Sequence, residues 1–269
     1  MGPDALRLEG VGVVREGRSI LRDVDWTVRP REHWVVLGSN GSGKSTLVRI
    51  AALDLHPTMG TVAVLGERLG RTDVRSLRRR IGYASAALAD SLRSSISAFD
   101  VVLTARRGAL EPWWHTYDDE DRDRAAQSLE RLGVARLASR PFGTLSSGER
   151  QRVLIARTLV NDVGIVLLDE PNAGLDLGGR EWLVEGLQEL AEDPATPPMV
   201  LVTHHVEEIP PAFDHGLLLR DGDVVAAGPT IDVLTSERLS DTYGLALEVA
   251  ESGGRFHARA VRAAPRQAD

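Results

Sequence analysis

The sequence predicts an α/β fold: a parallel sheet carrying a glycine-rich loop, preceded by an antiparallel β subdomain and interrupted by an inserted α-helical subdomain. Three observations predict it. The apolar run WVVL leads straight into GSNGSGKST (38–46) and then into an apolar-periodic helix. Two further runs, GIVLL and MVLV, are continuously apolar, as strands covered on both faces are, and helical patterns alternate with them. Residues of about 86–145 carry helical periodicity with no strand signal.

Taken in order, residues 6–37 alternate apolar and polar positions, with turn signals at Arg15–Arg18 and Arg29–Arg31. They read as short antiparallel strands ending in WVVLG. TVAVLGERL (61–69) reads as an edge strand and RIGYAS (80–85) as a short one. SISAFDVVLTARRG and DEDRDRAAQSLERLG read as helices flanking the aromatic loop PWWHTY. LSSGER then opens the helix QRVLIARTLV, and the strand GIVLLDEP follows. The helix REWLVEGLQELAED precedes the strand MVLVTHH. One domain is expected over 1–250. The Ala/Arg/Pro-rich stretch 251–269 is expected to be a flexible tail.

Composition narrows the function. The net charge of −7 leaves no domain-wide basic footprint, so no nucleic-acid partner is expected. The run Arg75, Arg78, Arg79 and Arg80 reads as a solvated face. With no cysteine, disulfides and thiolate-bound zinc are excluded. The start, MGPDALRLEG, lacks the apolar stretch of a secretory leader. No apolar run approaches the roughly 20 residues a spanning helix needs, so the chain is expected to be soluble by itself.

GSNGSGKS fits G-x-x-x-x-G-K-S/T in its proper setting, after a strand and before a helix. Gly38, Gly41 and Gly43 let the backbone turn its N–H groups toward phosphates, with Ser39, Asn40, Ser42 and Thr46 completing the cradle. The helix N-terminus adds its dipole. Lys44 suits the β- and γ-phosphates, and the Ser45 hydroxyl suits Mg²⁺. In IVLLDE a strand delivers Asp169 toward the same metal, and Glu170 is placed to act as a general base on water.

These segments resemble the ATP-binding cassette (ABC) ATPases over about residues 6–240. The match comprises the Walker A loop GSNGSGKS, the signature LSSGE, the Walker B strand IVLLDE, the D-loop NAGLD and the switch histidine of VTHH. The resemblance implies a P-loop NTPase, RecA-like core that hydrolyses ATP with Mg²⁺. It also implies a dimer, expected to be of identical chains, set head to tail around two nucleotides. Ser146, Ser147, Gly148 and Glu149 would cap the partner's nucleotide, and Asp176 would signal across the dimer. A helix capping box is the alternative reading of LSSGER, but Ser147 stands three residues before Arg150, a poor fit. His204 matches the switch histidine, and its neighbour His205 is expected to face the opposite way on an extended segment.

Two family positions depart. Ala86 stands where the Q-loop glutamine belongs, with only the Ser85 hydroxyl nearby. No aromatic stands near residue 14 or 15 to stack on adenine, which leaves Arg15 or Trp34 for that role. The Q-loop stretch and VTHHVEEIP look like molybdate- or iron-type cassettes. LTSERLSDTYGL resembles the close of iron-chelate and cobalamin importer cassettes. The resemblance thus implies the ATPase subunit of an importer that drives a separate integral membrane permease. Such a subunit sits on the inner face of the plasma membrane and makes no contact with cargo. Trp113 and Trp114 are either docking anchors for that permease or part of the helical subdomain's own core. A soluble ABC ATPase of translation or DNA maintenance is the alternative.

Overall fold

The computed structural model describes residues 2–261. The chain begins with the antiparallel hairpin β1 (Leu6–Arg15) and β2 (Arg18–Val28). β3 (Trp34–Gly38) then leaves that hairpin for a second sheet, so the antiparallel run ends one strand earlier than its alternation suggests. α1 (Lys44–Ala51) follows, and β4 (Met59–Val64) and β5 (Glu67–Arg68) return to complete a four-stranded sheet of order β2-β1-β4-β5. α2 (Val74–Arg78) leads into β6 (Ile81–Ser85). Helices α3 (Ala86–Ser91), α4 (Ala98–Thr104), α5 (Asp119–Arg131) and α6 (Ser147–Leu159) come next. β7 (Ile165–Asp169), α7 (Leu177–Glu192) and β8 (Met199–Val202) build the centre. The chain then runs through β9 (His215–Arg220), β10 (Asp223–Pro229), α8 (Thr230–Val233), α9 (Ser236–Tyr243), β11 (Leu247–Ser252) and β12 (Arg255–Ala260).

The central sheet has the order β10-β9-β3-β8-β7-β6 and is parallel except for β10 at its edge. Its continuously apolar strands divide by alternation between two cores. Trp34, Val36, Ile165 and Leu167 pack with α1 and the antiparallel sheet. Val35, Leu37, Val166 and Leu168 pack with the helices on the opposite face. Fully burying each such side chain contributes on the order of 1.5–3 kcal/mol. The sheet is therefore clamped from both sides, and loops at the carboxyl ends of its strands inherit that rigidity.

α6 is tied to α4 by a buried cation. Arg157 donates to the Val101 carbonyl, to Thr104 Oγ1 at 2.7 Å and to the Ala109 carbonyl at 2.7 Å. Burial holds the guanidinium down to about 10, so a charge is kept in the interior only because several acceptors surround it.

The tail corrects its composition. Residues 247–260 form the antiparallel hairpin β11–β12, in continuous register from Leu247 opposite Ala260 to Ser252 opposite Arg255. Gly253 and Gly254 make the turn at φ of 61° and 78°, where a β-carbon is unfavourable. The rest of the expected flexible tail, 262–269, lies outside the described residues.

Candidate nucleotide site

The loop after β3 is shaped by close approach. A β-carbon on Gly38 would lie 2.2 Å from the Leu219 carbonyl oxygen of β9. One on Gly43 would lie 2.7 Å from Leu21 Cδ2, and Gly43 itself caps α1 at φ 109° with no side-chain cap. The first amides of α1 are thus left without a side-chain acceptor, facing the cleft. That cleft measures about 740 Å³, within the usual size of a small-ligand site. Asn40, Gly41, Gly43, Lys44, Ser45, Thr46 and Glu170 line it. Ser39 and Ser42 lie behind, joined by a 3.1 Å bond from the Ser42 amide to the Ser39 carbonyl.

Lys44 is 4% exposed, and its Nζ donates to the carbonyls of Gly38 at 2.8 Å and Ser39 at 3.1 Å. Burial lowers its pKa, while the charges of Glu170 and Asp169 pull the other way. Ser45 Oγ donates to Asp169 Oδ1 at 3.1 Å, so loop and strand deliver their oxygens to one point. Burial raises the Asp169 carboxyl; the Ser45 bond opposes that, the Glu170 charge adds to it, and Lys44 opposes it again. A hydroxyl and a carboxylate side by side are the hard oxygen donors that Mg²⁺ takes, so the residues fit this metal.

Glu170 is held at φ 51°, a left-handed conformation costing a non-glycine residue on the order of 1–3 kcal/mol. Its amide donates to the Val202 carbonyl at 3.0 Å, which fixes it against β8. His204 Nδ1 stands 3.7 Å from Glu170 Oε1. The fold therefore brings Lys44, Ser45, Asp169, Glu170 and His204 together. His205 does not turn away as an extended segment would have it: the two imidazole centroids are 4.1 Å apart. The chain bends at His204 because Thr203 Oγ1 accepts from the His205 amide at 3.1 Å and donates to buried Glu208.

The second anion feature stands apart. Ser146 and Ser147 are exposed at the start of α6, and none of residues 146–149 lines the Lys44 cleft. A capping box is present, one residue ahead of the register in which it looked poor. Ser146 Oγ accepts from the Glu149 amide at 3.2 Å, and the Ser146 amide donates to Glu149 Oε2 at 3.0 Å. That backbone bond holds the Glu149 carboxyl below its ordinary value. Ser147 and Gly148 are left as the first helical residues. Asp176, also exposed, caps α7 through a 2.7 Å bond from the Gly179 amide.

Neither sequence candidate for stacking on adenine lines the cleft. Trp34 is 4% exposed, edge-on to Trp26 at 5.7 Å, with its Nε1 donating to Glu32, so it cannot meet a base. Arg15 does not line the cleft; Arg18, Arg22 and Asp221 do. Ala86 begins α3 and Ser85 caps it, accepting from the Leu88 amide at 3.3 Å. Ser85 also lies opposite Asp169 in the β6–β7 register. Trp113 and Trp114 are 64% and 85% exposed, which removes them from any core of the helical region.

A glycine-rich loop on a helix N-terminus, a buried lysine, and a Ser–Asp pair beside a strained glutamate define a P-loop nucleoside-triphosphate site. Known proteins specify it further. The sequence pattern of the ABC transporter family matches residues 21–173. The ABC transporter ATP-binding protein YlmA of Bacillus subtilis is 40% identical over 245 residues, 91% of this chain and 92% of that one. The hemin import ATP-binding protein HmuV of Rhodococcus jostii is 36% identical over 251 residues, 93% and 83% of the two chains. The dimeric post-hydrolysis state of an ATP-binding cassette bound to ADP and Pi superposes with a TM-score of 0.71. It is 27% identical and spans 83% of this chain and 98% of that one. This chain belongs to the ABC transporter family, as an ATP-binding, ATP-hydrolysing subunit.

Proposed function

We propose that this chain is the energy-coupling subunit of an importer, working as two identical copies set head to tail and driving a separate membrane permease. The separation of the two anion features carries the reading. Lys44 and its loop line one open cleft, while Ser146–Gly148 are presented outward elsewhere on the surface. A second copy turned head to tail brings its Ser147, Gly148 and the free amides of α6 to the mouth of that cleft, where they cap the γ-phosphate. Asp176 lies on the same exposed side and meets the partner chain.

Within each cleft Lys44 neutralises the β- and γ-phosphate oxygens, and the loop amides, with Ser39, Asn40, Ser42 and Thr46 shaping them, hold the chain of phosphates. Ser45 and Asp169 would hold Mg²⁺, which when bound supplies charge to the same oxygens. Glu170 accepts the proton of the attacking water, and His204 fixes that carboxylate and meets the γ-phosphate. General-base action of this kind contributes about 10²–10⁴ in rate.

Among the described residues no helix is long and apolar enough to cross a membrane; it is the partnership with a permease that would hold this chain at the cytoplasmic face of the plasma membrane. The exposed Trp113 and Trp114, with the Arg93 guanidinium 4.6 Å over the Trp113 ring, offer the permease an aromatic contact. The hemin-importing relative and the closing stretch of the sequence support an iron-chelate, heme or cobalamin-like cargo.

The test uses tagged Glu170→Gln chain expressed in its own host and drawn from detergent-solubilised membranes with Mg-ATP. The expected companion is a stoichiometric polytopic membrane protein. A soluble dimer alone, or one carrying ribosomes, overturns the transport reading.

A further inference from the structure

The switch segment around His204 is gripped from an unexpected side, by the C-terminal residues. α9 is anchored through Leu239 and Thr242, at 0% and 2% exposure, and it ends at Gly244 in a left-handed cap. This sets Tyr243 with its Oη donating to the His204 carbonyl oxygen at 3.4 Å. The hydroxyl of a C-terminal helix thus reaches the backbone of the switch histidine. Burial pushes that hydroxyl up to about 12, so it remains a donor through the physiological range.

The hairpin that follows holds the next turn. Arg255 donates to the Glu207 carbonyl and pairs with Glu181 of α7. The Ala258 amide donates to the Glu207 carboxylate at 3.2 Å. Residues 204–208 are therefore fixed at both ends from outside: by Tyr243 at His204, and by β12 at Glu207.

We propose that the C-terminal segment 236–260 positions the switch histidine for hydrolysis, with Tyr243 and Arg255 as its positioning residues. The proposal rests on the reading of His204 and Glu170 as the hydrolytic pair. Neither Tyr243 nor Arg255 lines the Lys44 cleft, so neither is placed to bind nucleotide. Their loss lets the 204–208 turn drift and widens the 3.7 Å approach of His204 to Glu170.

The experiment compares full chains carrying Tyr243→Phe, Arg255→Gln, His204→Ala and the Tyr243→Phe/His204→Ala pair. Readouts are steady-state Mg-ATP hydrolysis, nucleotide affinity by fluorescence, and thermal melting. Tyr243→Phe and Arg255→Gln are each expected to lower kcat about fivefold, the worth of one hydrogen bond. KM, nucleotide affinity and melting should stay unchanged. In the His204→Ala background, Tyr243→Phe should cost nothing further. An unchanged kcat for Tyr243→Phe, a matching rise in KM, or a full loss added to that of His204→Ala overturns the proposal. Should Arg255→Gln fail to fold, Tyr243→Phe decides alone, because it keeps the ring. If His204→Ala itself leaves kcat intact, the hydrolytic reading falls and the positioning role with it. If His204→Ala lowers kcat and Tyr243→Phe does not, only the positioning role falls.

Discussion

Ser45 and Asp169, 124 residues apart in sequence, are joined by a 3.1 Å hydrogen bond from hydroxyl to carboxylate. The bond lies where α1 starts and β7 ends, so two elements of different sheet neighbourhoods converge on one pair of oxygens. That carboxylate sits buried, and burial raises its pKa even though the charges of Lys44 and Arg49 pull it down.

Asp169→Asn should therefore stabilise the nucleotide-free chain at neutral pH while abolishing hydrolysis. Burial raises this carboxyl, so the folded chain favours its neutral form. The penalty is fully present above the folded pKa and is relieved as pH falls through it. The expected gain in Tm is about 2–4 °C at pH 7, shrinking toward acid pH. Melting curves across pH with and without Mg-ATP check it: Mg-ATP should protect the natural chain far more than the variant.

Lys44→Ala should raise the Kd for ATP on the order of 10- to 100-fold, the worth of a charge-assisted hydrogen bond in a desolvated site. Titration with a fluorescent nucleotide measures it. Because Lys44 Nζ also occupies the Gly38 and Ser39 carbonyls, Lys44→Met leaves those acceptors bare in the same way and should match the alanine variant.

The two adjacent serines of the signature should separate cleanly. Ser146 caps α6, so Ser146→Ala should cost about 1 kcal/mol of stability, seen as a lower Tm. Ser147 is exposed with no partner among the described residues, so Ser147→Arg should leave Tm unchanged. Hydrolysis should be lost with Ser147→Arg even though ATP affinity in its own Lys44 cleft is kept. A loss of affinity in that variant would mean that the signature serves its own chain's nucleotide.

What could be read in advance depended on the range of the interactions. GSNGSGKS and IVLLDE were legible because each is a strand running into a loop, with its chemistry fixed by local backbone. The capping box was misplaced because SS offers two registers, and only the Ser146–Glu149 pair closes. His205 departs from strand alternation because the alternation stops where Thr203 turns the chain. In the tail, composition masks a hairpin, although LEVAES-GG-RFHARA has the alternation and glycine turn of one. The adenine side was out of reach. The β1–β2 turn and the Asp221–Gly222 turn meet at the cleft only in three dimensions, where Arg22 pairs with Asp223 across 201 residues. The DG pair marks a turn in the sequence, but not where that turn lands.

Arg18, rather than Arg15, should therefore be felt by the base. It lines the cleft and, among the described residues, has no ion pair, whereas Arg22 is held by Asp223 at 2.5 and 2.8 Å. A guanidinium plane stacks on any purine, at about 0.5–1 kcal/mol on an exposed site. Arg18→Ala should accordingly weaken ATP and GTP alike, each about two- to fivefold, with Arg15→Ala unchanged. Competition of the two nucleotides for a fluorescent analogue reads both numbers at once. A selective loss of ATP would mean that Arg18 acts through a hydrogen bond to the adenine edge instead of its face. An effect of Arg15→Ala equal to that of Arg18→Ala would mean that the base reaches past Arg18 to Arg15, its closing partner in the β1–β2 hairpin.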